Sequence, residues 1–276
     1  MPELPEVEHV VRALRLATTG RRIVTAELRL RRIAPGITPA TFKRKLSGAT
    51  IEDVSRRGKY ILVKLDSARV LLVHLRMTGK FVCLSPEQAL PPYSHVVFYL
   101  DDDRRLVFCD MRQFGRLRLV AASKLSRTPE LRLLAPEPLS DGFTVDYLRS
   151  KLSHSRRSLK QLLLDQTKIL GLGNIYAAEA LFLARINPFT SAAKISRQRV
   201  VRLHRAICDV LHEALDSGST LKIDLADGHS SYFGSDERFW RVYEREGERC
   251  LSCGAGIKRV VHGGRSTYFC PRCQRR

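Results

Sequence analysis

Residues 61–75 read Ile61-Leu-Val-Lys-Leu-Asp-Ser-Ala-Arg-Val-Leu-Leu-Val-His-Leu75. Two short runs rich in branched apolar residues flank an Asp-Ser-Ala break, a pattern of consecutive β-strands. Similar runs follow at 96–100, 105–109 and 117–120, with Gly, Pro and Asp turns between them. The spacing predicts an antiparallel sandwich or barrel over about residues 22–120. Upstream, Val7, Val10, Val11 and Leu14 recur at helical intervals behind Pro5, with Glu6 and Glu8 in the first turn. A capped amphipathic helix is therefore expected over 6–17. Downstream, Pro129, Pro136 and Pro138 mark 129–142 as a linker. Residues 145–152, 158–165, 175–184 and 197–217 then carry apolar side chains three and four apart, as helices do. The fold class is α+β and multidomain: a β-sandwich with its N-terminal helix over 1–128, a helical domain over 143–240 and a small module over 241–276.

Charge narrows the partner. The chain of 276 residues holds 48 Lys and Arg against 28 Asp and Glu, a net charge of +20. That excess points to a polyanion. It is concentrated downstream, with eleven basic residues against three acidic ones in 150–212 and nine against three in 241–276. A hydrophobic fraction of 44% is enough to bury cores, so disorder is not expected. Neither an apolar run of about 18 residues nor a basic, apolar leader is present, which argues against a membrane span and a secretion signal and for a cytoplasmic location.

Seven cysteines, an odd number unevenly spread, do not suggest a disulfide framework. Cys250-x2-Cys253 and Cys270-x2-Cys273, sixteen residues apart, have the spacing of two thiolate knuckles closing one tetrahedral structural Zn²⁺ site. Cys83, Cys109 and Cys208 lie in apolar runs and read as core residues. The eight histidines are scattered, and His74 on an apolar strand reads as structural, as Trp240 reads as a packing residue. Residues 257–262, Gly263-Gly264 and 265–269 read as a β-hairpin with Arg265 at its tip.

The start of the chain also carries chemistry. Pro2 is small enough to permit removal of Met1, which would leave a secondary amine. An α-amine titrates near 7.7–8.0, and the positive end of a helix lowers it further, so a neutral, nucleophilic fraction exists at physiological pH. Such an amine can attack an aldehydic carbon, with Glu3 and Glu6 beside it to move protons.

Pro2-Glu3-Leu4-Pro5-Glu6-Val7-Glu8 resembles the N-terminal signature of the formamidopyrimidine-DNA glycosylases. The resemblance continues through Arg57-Gly58-Lys59-Tyr60, His74-Leu-Arg-Met77-Thr-Gly79, Asp110-Met-Arg112-Gln-Phe114-Gly115, Gly171-Leu-Gly173-Asn174-Ile-Tyr176 and the four-cysteine end. It implies a helix-two-turn-helix module and a zinc-finger hairpin. It implies as well a base-excision enzyme that removes oxidised purines, 8-oxoguanine and formamidopyrimidines, and cleaves the abasic strand by β,δ-elimination. The implied partner is double-stranded DNA bearing oxidised bases or abasic sites. The protein is expected to be a monomer associated with the nucleoid, with one structural zinc and no organic cofactor.

Matched residue by residue, Pro2 is the implied Schiff-base nucleophile at C1′ and Glu3 the acid. Lys59 is implied as a proton donor and phosphate contact, and Arg265 as a phosphate contact that assists δ-elimination. Glu6, Met77, His95, Arg112, Phe114, Arg156 and Asn174 are implied DNA contacts. Among them Met77, Arg112 and Phe114 would fill the gap left when a base is flipped out. A phosphate on the backbone at Asn174 and a plain helix cap there fit the Gly-x-Gly-Asn sequence equally well. The sequence departs from the family over 226–240, which lacks the usual Gly-rich sequence of the loop over the everted base. The rival readings are an oxidised-pyrimidine glycosylase of the same superfamily, a non-catalytic DNA-binding paralogue and a zinc-ribbon RNA-binding module. The Pro-Glu-Leu-Pro-Glu start argues against the first, intact Pro2, Glu3 and Lys59 together against the second, and the N-terminal proline signature, which an RNA-binding module would not need, against the third.

Overall fold

The computed structural model describes residues 1–216, 225 and 240–275, which divide into two compact units between Arg132 and Leu133, with Leu225 belonging to the first. The segment 226–239, where the sequence departs from the family, lies outside the described residues.

The first unit opens with α1 (Leu4–Thr18) and β1 (Ile23–Leu28), followed by α2 (Pro39–Leu46). Seven strands then run β2 (Ile51–Arg57), β3 (Tyr60–Leu65), β4 (Arg69–His74), β5 (Gly79–Leu84), β6 (Ser94–Leu100), β7 (Arg105–Asp110) and β8 (Arg116–Ala121). They form two four-stranded antiparallel sheets, ordered β2-β3-β4-β8 and β1-β6-β7-β5. The apolar stripe of α1, Val7, Val10, Val11 and Leu14, enters the core with Phe42, Ile61, Val73, Phe98 and Phe108. Val82, Val97, Val107 and Cys109 form a second cluster. Strands covered on both faces lose their alternation, which is why 96–100 and 105–109 read as continuous apolar runs. The short α2 was not expected. It buries only Phe42 and Leu46, and Lys43-Arg44-Lys45 obscure that stripe, although Pro39 in its first turn and the Thr38 hydroxyl accepting the Thr41 N–H at 3.2 Å start it in the usual way.

In the second unit, α3 (Val145–Ser153), α4 (Leu159–Leu163), α5 (Asn174–Leu183) and α6 (Arg197–Asp216) precede a hairpin of β9 (Lys258–His262) and β10 (Arg265–Phe269). Gly263 and Gly264 both have positive φ, +57° and +74°, as a two-residue type I′ turn requires. Cys208 corrects one expectation. It is only half-buried on α6, its thiol 3.5 Å from the Pro138 carbonyl, whereas Cys83 and Cys109 are core. Trp240 packs edge-on against Tyr176 and Tyr243. Among the described residues no helix is long and apolar enough to cross a membrane.

His74 ends β4, 8% exposed, with its ring edge-on to Tyr60 and its Nδ1 accepting the Arg76 N–H at 3.0 Å. Burial, then the charges of Arg76 and Lys59, lower its pKa from 6.5 to about 3. Folding therefore favours the neutral ring. Its contribution is complete above pH 6.5 and is lost as the pH falls from 6.5 towards 3, at roughly 1.4 kcal/mol per pH unit. His74→Asn should flatten urea-measured stability over pH 6.5–4 by about one proton's worth of slope. An unchanged slope would contradict a buried neutral imidazole.

Candidate active site

Register gathers Lys59, Met77, Arg112 and Phe114 at one end of the sandwich. Tyr60 pairs with His74 and His74 with Arg116, while on the other sheet Gly79 pairs with Asp110 and Ser94 with Cys109. The β2–β3 turn carrying Lys59, the β4–β5 connection carrying Met77 and the β7–β8 connection carrying Arg112 and Phe114 therefore emerge together. Gly58, at φ +56°, opens the two-residue turn that places Lys59 immediately before β3.

The N-terminus of α1 reaches the same end. Glu3 caps the helix: its carboxylate accepts the Glu6 N–H, and Glu6 Oε2 accepts the Glu3 N–H at 2.8 Å, a reciprocal capping box with Pro5 in the first turn. This fixes both carboxylates beside Pro2. Pro2 is buried, and Glu3, Glu6 and Lys59 are only 2%, 7% and 5% exposed. The α-amine of Met1, one residue before Pro2, feels Glu3, Glu6, Lys59 and Arg112, and burial pulls it below its ordinary value of 8.0 against the opposing pull of the two carboxylates. Two buried carboxylates and a buried ammonium thus lie close to the start of the chain, with the Arg112 guanidinium acting on the same end, a constellation suited to nucleophilic attack with proton transfer.

At this end of the sandwich, Met77 and Phe114 are exposed, at 40% and 48%. The Arg112 guanidinium lies 5.1 Å from the centre of the Phe114 ring. Arg76 and Gln113, each next to one of these side chains, have left-handed φ of +56° and +57°. His95 is placed differently from an open DNA contact. It is 7% exposed with Nε2 2.9 Å from the Asp110 carbonyl, so here it braces a strand end. Glu6 is likewise occupied in the capping box.

The second unit brings together a different set. Gly173, not Asn174, is the N-cap of α5 and makes no side-chain cap, so a plain Asn cap does not account for Asn174. Asn174 Nδ2 donates to the Ser266 carbonyl at 3.1 Å, leaving its second hydrogen for another acceptor. Lys160, 1% exposed, donates to the same carbonyl at 2.7 Å and to Thr267 Oγ1 at 2.8 Å, which fixes the hairpin one residue beyond exposed Arg265. Arg156 is exposed. The Sγ atoms of Cys250, Cys253, Cys270 and Cys273 lie within 4.8 Å of one another, with 3.9 Å between Cys250 and Cys273 and 3.5 Å between Cys253 and Cys270. Four Zn–S bonds of about 2.3 Å span a tetrahedron with edges of about 3.8 Å, so these thiolates fit zinc, and they leave no ligand position open for water.

Sequence reasoning passed over Lys160 and Glu179. The Glu179 carboxylate, 1% exposed, accepts the backbone N–H groups of Arg241, Val242 and Tyr243 at 2.9, 2.9 and 3.0 Å, and so anchors the entry to the finger. Its one sequence signal is an acid inside the apolar run of α5.

Residues 1–117 match the family model of the formamidopyrimidine-DNA glycosylase N-terminal domain, 134–224 its H2TH domain, and 247–276 a zinc finger found in FPG and IleRS. The chain is 43% identical over 278 residues to the formamidopyrimidine-DNA glycosylase of Heliobacterium modesticaldum, covering 100% of both. A structure of Lactococcus lactis Fpg with DNA containing an oxidised pyrimidine matches at a TM-score of 0.90 and 32% identity over 100% of each chain. Another, of the Lactococcus lactis enzyme bound to DNA with an AP site, matches at 0.88 and 32%, covering 99% of this chain and 100% of that one.

Proposed function

The chain belongs to the formamidopyrimidine-DNA glycosylase family, and on that footing we propose that the amine of Pro2, freed by removal of Met1, is the nucleophile of base excision. The protein is a DNA glycosylase with AP lyase activity that excises oxidised purines, and its finger holds a structural zinc. The observation that supports the residue assignment is that buried Pro2 is flanked by the Glu3–Glu6 capping box and that Glu3, Glu6, Lys59 and Arg112 all act on the α-amine of Met1 one residue away.

With Met1 removed, the Pro2 nitrogen attacks C1′ of the damaged nucleotide and the bond to the base breaks. Glu3 supplies the proton that the departing base or the opening sugar oxygen requires. The resulting iminium acidifies C2′; loss of that proton expels the 3′ phosphate, and a second elimination expels the 5′ phosphate. Lys59 donates a proton near the first elimination. Arg265 neutralises phosphate in the second. Met77, Arg112 and Phe114 occupy the gap in the duplex, with the Arg112 guanidinium facing the orphaned base. His95 and Glu6 support this face from behind, through Asp110 and Glu3. Oxidised pyrimidines form a second substrate class, favoured by the oxidised-pyrimidine DNA held by the similar Lactococcus lactis enzyme. The domain division at 129–142, the monomeric state and a nucleoid location complete the reading.

Glu3→Gln tests the acid. Excision from an 8-oxoguanine duplex should fall about 10²–10⁴-fold, the range of a positioned proton donor, while cleavage of a preformed abasic site, which has no base to expel, falls far less. Equal losses on both substrates would remove Glu3 from that role. Phosphate contacts have a separate signature. Arg156→Ala and Arg265→Ala should weaken lesion and undamaged duplex alike and reduce the slope of log K against log salt by about 0.9 each. A loss confined to lesion DNA would reassign them.

A further inference from the structure

The assignment of two loops to the duplex gap leaves unexplained what holds them in one geometry, since they leave different strands and each carries a left-handed residue. The answer lies in Asp110, which is wholly buried. One carboxylate oxygen accepts the Thr78 hydroxyl, from the Met77 loop. The other accepts the Gly115 N–H at 2.6 Å, from the Phe114 loop. Thr78 Oγ1 in turn accepts the Arg112 N–H at 3.0 Å, so the hydroxyl is donor to one loop's anchor and acceptor from the other loop's arginine. The Asp110 carbonyl accepts the Gln113 N–H at 3.1 Å and faces His95 Nε2. The two closing glycines admit no side chain: a Cβ on Gly79 would sit 2.4 Å from the Leu75 carbonyl oxygen, and one on Gly115 2.6 Å from the Phe108 ring.

We infer that Asp110 and Thr78 are positioning residues, a buried latch that fixes Met77, Arg112 and Phe114 as one rigid insert and thereby sets opposite-base discrimination. The inference rests on the gap-filling reading of those three side chains. A guanidinium can distinguish one orphaned base from another only while its backbone is held still, and the Arg112 N–H is held by Thr78 alone among the bonds described. A buried carboxylate accepting an O–H and an N–H is a strong fastening, and removing the hydroxyl leaves both a carboxylate oxygen and an amide hydrogen unmatched.

The test is single-turnover excision of 8-oxoguanine opposite each of four bases, beside cleavage of an abasic duplex, for wild type, Thr78→Val, Thr78→Ser and Asp110→Asn. Rates are taken per enzyme competent in borohydride trapping, so that unfolded protein does not enter. Thr78→Val keeps the shape and loses the hydroxyl. Excision should drop about tenfold and the spread of rates across opposite bases should narrow at least about threefold, with abasic cleavage within about twofold of wild type. Thr78→Ser should restore both, and Asp110→Asn, which can satisfy only one of the two donors, should behave like Thr78→Val. Equal slowing on paired and abasic substrates, or an unaltered opposite-base spread, would overturn the latch. Arg112→Ala and Phe114→Ala in the same assay separate the two levels. If they discriminate between paired and abasic substrates and Thr78→Val does not, the latch alone fails; if they do not discriminate either, the gap assignment fails and takes the latch with it.

Discussion

Keeping Met1, or replacing Pro2 by Gly, should abolish strand cleavage at abasic sites while duplex affinity stays within a few-fold of wild type. The pyrrolidine nitrogen gives an iminium that is cationic without further protonation, and the ring fixes the backbone angle that aims it. An added residue moves the reactive amine by several ångströms, whereas a displacement of about 1 Å can already cost about a hundredfold. Affinity has a different origin, since a net charge of +20 binds the phosphate backbone whether or not the nucleophile is present. The check is paired: gel-resolved cleavage of an abasic duplex and fluorescence anisotropy on the same preparations, with mass spectrometry to establish the N-terminus. Full lyase activity in protein proven to retain Met1 would refute the assignment.

Zinc removal should be nearly as severe and opposite in kind. A structural zinc in an isolated finger contributes about 10–16 kcal/mol of apparent binding energy, which is folding energy for so small a module. In this finger the hairpin's own buried residues are few, Ile257, Thr267, Phe269 and Cys270 among them. Cys250→Ser, or chelation, should therefore disorder the hairpin that carries Arg265 and reduce DNA binding by two orders of magnitude or more at moderate salt, with base excision and the first elimination lost through binding and the second also through loss of Arg265. Hydrogen exchange should show the lost protection confined to the finger. A metal-free sample that binds and cuts lesion DNA normally would show that the four thiolates are not what holds this module.

How much of this was legible in the sequence depended on the range of the interaction concerned. The hairpin tip was legible because Gly263-Gly264 meets a local demand for two positive φ angles, and the zinc site because its ligands come in fixed local spacings. The α1 helix was placed within two residues at its start, but its real cap, Glu3, was hidden because the same carboxylate had been read only as a catalytic acid. Short α2 escaped because two buried residues give too little periodicity. Half-burial of Cys208 was legible in principle, because the apolar stripe of α6, Val200, Leu203, Ile207, Val210, Leu211 and Ala214, leaves it at the edge of the buried face.

The candidate site shows the same limit. Residue types at the site could be picked out because the motifs carry them. What could not be read was how they are held: the Asp110–Thr78 pair spans 32 positions, and the Glu179 carboxylate serves backbone groups more than 60 residues on. His95 illustrates the converse, a residue matched to a DNA-contacting position whose ring is buried against a carbonyl at the end of a neighbouring strand.

Borohydride trapping tests the central claim most directly. Incubating the protein with an 8-oxoguanine duplex under borohydride, digesting both components and sequencing the adducted peptide by mass spectrometry should locate a reduced sugar remnant on the nitrogen of Pro2, with Met1 absent. An adduct on the ε-amine of Lys59 or any other lysine, or efficient cleavage with no trapped complex, would contradict the N-terminal amine as nucleophile.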